Sequence, residues 1–193
     1  MTMKTDEKVV WRGGTQLAPV PVVLVGCGDG KNFKYNLITV AWAGTLSSEP
    51  PAVGIGVRPS RYSRGLIESL GEFTVNMPCS AMAEKVDHCG VVSGRDADKF
   101  ADCSLTPLPG SQVAAPIVAE CPISLECKLR HTLDLGSHIL YVGEVLAVQV
   151  SRRFIDADGC FDAAKADLLA YAHGSYFKLG DEVGSFGFSA KKR

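Results

Sequence analysis

Residues 36–63 read NLITVAWAGTLSSEPPAVGIGVRPSRYS. Two apolar runs, 36–44 and 51–58, flank a Ser-Ser-Glu-Pro-Pro connection, and the second ends in Arg-Pro-Ser-Arg-Tyr-Ser. Both runs are short, rich in valine, isoleucine and aromatic residues, and bounded by turn formers, which predicts two β-strands. Gly54 and Gly56 leave one face of the second strand bare, so another backbone or a ligand can approach closely there. The segment SRYSRGLIESLG predicts a short helix, with Ser60 or Ser63 as N-cap and Gly71 as its stop. A core segment that runs directly into arginines and hydroxyls suits a ligand that is flat and apolar at one end and anionic at the other.

The same reading extends outward. VPVVLVGCG (20–28) is a continuous apolar run, expected to be one buried strand, and GDGK turns the chain. EFTVNMP predicts a strand, CSAMAEKVDHCGVV a helix and RDADKFAD a further helical turn. Residues 103–119, rich in Pro, Gly and Ser, are expected to form a surface loop. CPISLECKLRHTL alternates apolar Cys121, Ile123, Leu125, Cys127 and Leu129 with polar neighbours, the period of a strand with one wet face. His131 continues its apolar side and is expected to be partly buried. ILYVGEVLAVQV pairs back across the turn DLGSH, DADG (156–159) is another turn, and a last short strand is expected around LLAYAHG. Strands dominate without regular alternation with helices, which argues for a mainly β, antiparallel Greek-key barrel with short helical insertions rather than a doubly wound sheet. No repeat or low-complexity linker divides the 193 residues, so one domain is expected.

Formal net charge is −1, from 20 basic and 21 acidic residues. This disfavours a nucleic-acid partner, whose footprint is usually basic. No window of eighteen apolar residues predicts a membrane span, and the charged start MTMKTDEKVVWRGG is not a secretion signal, so a cytoplasmic location is expected. The seven cysteines, an odd number, show no C-x-x-C pair or zinc spacing. Their simplest role is as buried free thiols, with a thiol redox role as the alternative. GCGDG lacks the third glycine of a dinucleotide loop, DADGCFD lacks the sixth-position glycine and terminal glutamate of a calcium loop, and the histidines show no metal spacing. No metal site is expected.

What remains is the opening stretch. Asn36, Thr39, Thr45, Ser47 and Ser48 supply donors and acceptors, and Trp42 supplies a flat apolar surface. Arg58, Ser60, Arg61 and Ser63 form a donor-rich corner at a helix start, a good phosphate site. The same residues could simply cap strands and helix while Trp42 fills the core. A non-redox barrel binding a small phosphorylated or aromatic ligand also fits.

NLITVAWAGTLSSEPPAVGIGVRPSRYS, GEFTVN, DHCGVVSGRDADKF, ECPISLEC, GSHILYVGEV and YAHGSYFKLG, in that order, resemble the flavin reductase-like FMN-binding family, and its flavoredoxin members most. The resemblance covers nearly the whole chain from about residue 19. It implies a split β-barrel, a homodimer, and non-covalent FMN near the subunit interface. By the same resemblance, Asn36, Leu37, Ile38, Thr39 and Trp42 line the flavin and ribityl chain. Thr45, Ser47 and Ser48 bond the polar edge of the ring or the chain below it. Arg58, Ser60, Arg61 and Ser63 take the phosphate, Lys99 contacts phosphate or ring, and His173 lies on the nicotinamide side. The implied activity is electron or hydride transfer through FMN, with NAD(P)H or a redox protein as partner and no nucleophilic side chain.

Overall fold

The computed structural model describes residues 7–190. Residues 1–6, which carry part of the secretion-signal reading, and 191–193 lie outside the described residues. β1 (Val20–Pro21), β2 (Val23–Cys27), β3 (Asn36–Val40), β4 (Ala43–Ser48) and β5 (Pro51–Val57) lead into α1 (Tyr62–Leu70) and β6 (Glu72–Met77). A 3₁₀ turn, α2 (Ala83–Val91) and α3 (Lys99–Asp102) precede the short pair β7 (Pro107–Leu108) and β8 (Ile117–Val118). The long strands β9 (Ile123–Asp134) and β10 (Ile139–Val150), α4 (Ala163–Ala166), β11 (Leu169–Ala172) and β12 (Ser175–Lys178) complete the fold.

Seven strands form one antiparallel sheet in the order β3-β2-β6-β9-β10-β5-β4. The outermost strands, β3 and β4, are separated in sequence by only Ala41 and Trp42. Laid flat, seven strands would hold their edges about 29 Å apart. The three peptide units from Val40 to Ala43 reach at most about 11 Å. The sheet therefore curls until its edges meet, giving a split β-barrel. The run expected as a single strand at 36–44 is thus broken at the bend, and each half belongs to an opposite edge. The run at 20–28 also divides: β1 leaves the barrel to pair with β11 in a three-stranded sheet, β1-β11-β12.

The continuous apolar pattern of β2 and β3 reflects burial on both faces. Val23, Val25, Ile38 and Val40 join one core cluster with Leu66 and Ile67 of α1. Leu24 and Leu37 join another with Val86 and Cys89 of α2 and Phe100 of α3. Gly71 ends α1 in the left-handed conformation, φ 69°, and donates its N–H to the Ile67 carbonyl. The helix begins otherwise than expected. Arg61, extended, is the N-cap and makes no side-chain cap bond. Ser63 is inside the helix and buried, with its hydroxyl accepting from Asn36 Nδ2 at 2.8 Å.

β9 has no wholly wet face. Ser124 and Glu126, the expected outward residues, are buried, because residues 111–118 fold over that side. The 103–119 segment is accordingly not just a surface loop: Val113, Ala115, Ile117 and Val118 are buried in it. The Glu126 carboxylate accepts from Ser111 Oγ, the N–H groups of Gln112 and Val113, and Gln149 Nε2. Further along β9, a register shift between the His131–Val142 and Leu129–Gly143 pairs disturbs the alternation. His131 is consequently exposed, not partly buried.

Burial alone would raise the Glu126 pKa, but the bonds from Gln149, Ser111 and Gln112 outweigh it and hold the carboxyl at about 2. A depressed folded-state value stabilises fully above the unfolded value of about 4.3 and is lost as pH falls toward 2. Glu126→Ala, which orphans these donors, is expected to lower unfolding free energy by about 2–4 kcal/mol in urea titrations at pH 7. The difference from wild type should shrink between pH 4 and pH 2.

Candidate functional site

The barrel seam opens into three adjoining cavities. The seam cavity, about 320 Å³, is walled by Ile38, Thr39 and Trp42 on one side, Gly56, Arg58 and Arg61 on another, and Asp87 and Gly90 of α2. His138, Tyr171 and Tyr176 complete it. Trp42 seats against Gly56, whose N–H donates to the Trp42 carbonyl at 2.7 Å. A Cβ on Gly56 would stand 3.1 Å from Trp42 Cβ, which is the close approach the bare glycine permits. The indole, 44% exposed, stacks on the His138 imidazole with centroids 5.9 Å apart and planes 9° from parallel. Thr39 directs its hydroxyl to the Val86 carbonyl of α2. Tyr176 donates to Asp87 at 3.0 Å, tying β12 to the same helix.

The cationic cavity, about 430 Å³, shares Ile38 and Arg61 with the first. Ser60, Ser63 and Lys99 line it, as do Ser93, Gly94 and Arg95 of the α2–α3 connection. Arg95 lies over the Tyr62 ring at 5.7 Å from its centroid. Lys99 is almost fully buried and donates to the carbonyls of Leu37 and Cys89, each at 2.8 Å. Burial, together with the Arg61 charge, lowers its pKa. Three cationic side chains face Asp96 as the one acidic residue in the wall, so the cavity favours an anion. The outer cavity, about 410 Å³, adjoins the seam cavity on its other side and includes His173.

The structure thus brings Ile38, Thr39, Trp42, Arg58 and Arg61 together in one cavity and Ser60, Ser63 and Lys99 in the next. Asn36 is buried behind Ser63 and reaches the site through that hydroxyl. Leu37 places its side chain in the core and offers only its carbonyl, to Lys99. Thr45, Ser47 and Ser48, on edge strand β4, line none of the three cavities. Sequence reasoning missed His138, Arg95, Ser93, Asp87, Tyr171 and Tyr176. Gly-Ser-His immediately before a long strand and Ser-Gly-Arg between two helices were the available signals. A thiolate reading loses support here. All seven cysteines are free, and burial drives the Cys27 thiol up to about 11 and the Cys89 thiol upward as well.

Residues 15–180 match the family profile described as flavin reductase like domain. The chain belongs to that family. Flavoredoxin of Desulfovibrio vulgaris (Miyazaki F) superposes with a TM-score of 0.89 at 34% identity, over 96% of this chain and 100% of that one. Flavoredoxin from Methanosarcina acetivorans gives 0.87 at 32% identity, again over 96% and 100%. A protein of Escherichia coli K12, YddH, is 31% identical over 167 residues, 84% of this chain and 88% of that one. Family and neighbours support a flavin-related redox role. They also carry the split-barrel expectation, which the curled sheet meets.

His138 has its pKa lowered by burial first and then by the Arg58 charge. An imidazolium stacked on indole quenches its fluorescence, so Trp42 reports the titration. In a Trp11→Phe background, which leaves Trp42 as the sole tryptophan, the midpoint is expected below the ordinary value of about 6.5. Adding Arg58→Ala should move it upward.

Proposed function

We propose that this protein holds FMN non-covalently across the seam and cationic cavities and acts as a redox protein of the flavoredoxin or flavin reductase type. The observation that carries this reading is the junction of the two cavities at Ile38 and Arg61. A flat Trp42–His138 surface adjoins a pocket lined by two guanidiniums, an ammonium and serine hydroxyls. FMN has the same division, a tricyclic ring joined by a ribityl chain to a phosphate.

When bound, the flavin supplies the hydride or electron transfer. The chain's own residues bind and tune it. Arg61 and Arg95, with the hydroxyls of Ser60 and Ser93, form the phosphate clasp. Lys99 spends two of its donors on Leu37 and Cys89, which ties α3 to β3 and α2 and leaves its positive charge at the pocket wall. Arg58 stands at the ring end, where its positive charge favours an anionic reduced ring and raises its potential, while His138, its pKa lowered by burial and by that charge, offers a neutral imidazole stacked on Trp42. Asn36 orients Ser63 from behind. Leu46 of β4, Leu133 and Leu135 of the β9–β10 hairpin, and Leu146 and Val148 of β10 are exposed apolar side chains that a second copy of the chain would cover in the homodimer of this reading.

A carrier, reduced by another redox protein, and a reductase, reduced by NAD(P)H, share this architecture. Anaerobic mixing of the FMN-loaded protein with NADH, NADPH or a reduced ferredoxin separates them by which donor bleaches the flavin absorbance. Protein that takes up no FMN overturns the reading and leaves the non-redox ligand-binding barrel. Charge-assisted hydrogen bonds contribute about 1.5–3 kcal/mol each. Arg58→Ala/Arg61→Ala is therefore expected to weaken FMN binding by about 100-fold or more in flavin fluorescence titrations. Unchanged affinity would remove these arginines from the site.

A further inference from the structure

We propose that Cys89 and Cys103 form an oxidation site, at which a hydroperoxide converts two free thiols to a disulfide that staples α2 to α3 and fixes one wall of the cationic cavity. Their sulfurs lie 3.8 Å from each other, though the residues are 14 positions apart in sequence. Cys89 sits in the last turn of α2, and Cys103 is the C-cap of α3. No other pair of sulfurs among the described residues makes such a contact. A disulfide holds its sulfurs about 2.05 Å apart, so the gap left to close is short, and both thiols already meet in one core cluster. Among the described residues no three His, Cys, Asp or Glu side chains gather to hold a metal, so the pair is not part of a larger ligand set.

Lys99 lies between the two cysteines. Its ammonium donates to the Cys89 carbonyl at 2.8 Å, and its own carbonyl accepts from the Cys103 N–H at 3.2 Å. The chain between the cysteines carries Ser93, Gly94, Arg95 and Lys99, all of which line the cationic cavity. A covalent link at both ends closes this stretch into a loop and suppresses the local openings in which α2 and α3 separate. The wall is restrained while none of its own side chains is altered.

Cys103 is 7% exposed and Cys89 is fully buried, so the Cys103 sulfur meets the oxidant first. It attacks one peroxide oxygen, the O–O bond breaks, and Cys103 becomes a sulfenic acid as water leaves. The Cys89 sulfur then attacks the Cys103 sulfur. The S–O bond breaks, and the hydroxyl leaves as water with the Cys89 proton. Two thiols and one hydrogen peroxide give one disulfide and two waters. Burial raises the Cys89 thiol pKa, and the Cys103 sulfur beside it raises it further, which makes formation slow. The pair suits a slow, lasting modification and not a step of turnover.

This site goes beyond the FMN reading and does not depend on it. The test uses the flavin-free full chain carrying Cys160→Ser, which removes the one exposed cysteine and its coupling between molecules. After treatment with hydrogen peroxide, digestion without reductant and mass spectrometry are expected to find one peptide pair joined through Cys89 and Cys103. That pair should be two hydrogens lighter than its reduced halves together and should separate in dithiothreitol. The oxidised protein should unfold about 5 °C or more above the reduced form. Amide exchange across residues 92–98 should slow by about threefold or more. Cys103→Ser and Cys89→Ala should each abolish the link and both shifts; should either variant fail to fold, the peptide map of the parent decides. A link between other cysteines, oxidation of Cys103 with no link, or a link that leaves exchange across 92–98 unchanged would overturn the inference. Failure of the protein to take up FMN is read separately and bears on the flavin site alone.

Discussion

Ala41 and Trp42 join the two outermost strands of a seven-stranded sheet, and that short link governs much of the rest. A sheet whose edges are tied by so little chain must close on itself, and it closes without completing the hydrogen-bond ladder. The result is a seam bordered by strands whose outer peptide groups have no strand partner in the sheet. Against it the fold gathers the chain leaving β5, the turn entering β10, helix α2 and the β11–β12 hairpin. All three cavities lie along this line, so the site follows from the barrel's incomplete closure. Trp42 occupies the link itself, and Gly56 is bare because the tryptophan backbone and Cβ sit on it.

Charge is distributed along the seam with the same economy. Arg58 and Arg61 are exposed and can turn toward a ligand, but Lys99 is committed to two carbonyls before any ligand arrives. Removing an ammonium from water is costly unless its donors are satisfied. Here the two carbonyls partly compensate, and an anion in the cavity would supply the remaining counter-charge. Lys99 therefore joins structure to binding: it ties α3 to β3 and α2 while keeping the pocket positive. The buried Asn36–Ser63 pair works similarly from the opposite wall, locking the first turn of α1 to β3. Both devices make the anion pocket a rigid feature of the barrel rather than a cluster of flexible side chains.

Local pattern revealed the longer strands, α1 and its Gly71 stop and the 156–159 turn, and drew attention to the residues that meet at the candidate site, because these depend on neighbours in sequence; the short strands β7, β8 and β12 were not legible. The stretch 36–63 carried both the hairpin and the arginine corner. Its failures are equally physical. A continuous apolar run does not say whether it serves one strand or two, and the breaks at Val22 and at 41–42 are set by which distant strand each half must meet. Ser124 and Glu126 appeared solvent-facing since alternation reports side, not cover, and the cover is a segment whose own composition suggested a loop. His131 followed the alternation only as far as the register shift allowed. His138 and Arg95 were invisible as partners because Trp42 and Tyr62, against which they lie, are distant in sequence.

The three cavities differ more in charge than in size, and this contrast limits what can share them. The cationic cavity draws an anion; the outer cavity, lacking any formal charge in its wall, penalises one. Between them the seam cavity holds both an aromatic stack and two arginines, the only one of the three that suits a ligand part apolar and part ionic. A single nonpolar groove would not hold the ionic end of such a ligand, and a uniformly basic one would hold the anion but not select the apolar end. The gradient of charge along the seam fixes which end of an amphipathic ligand lies where.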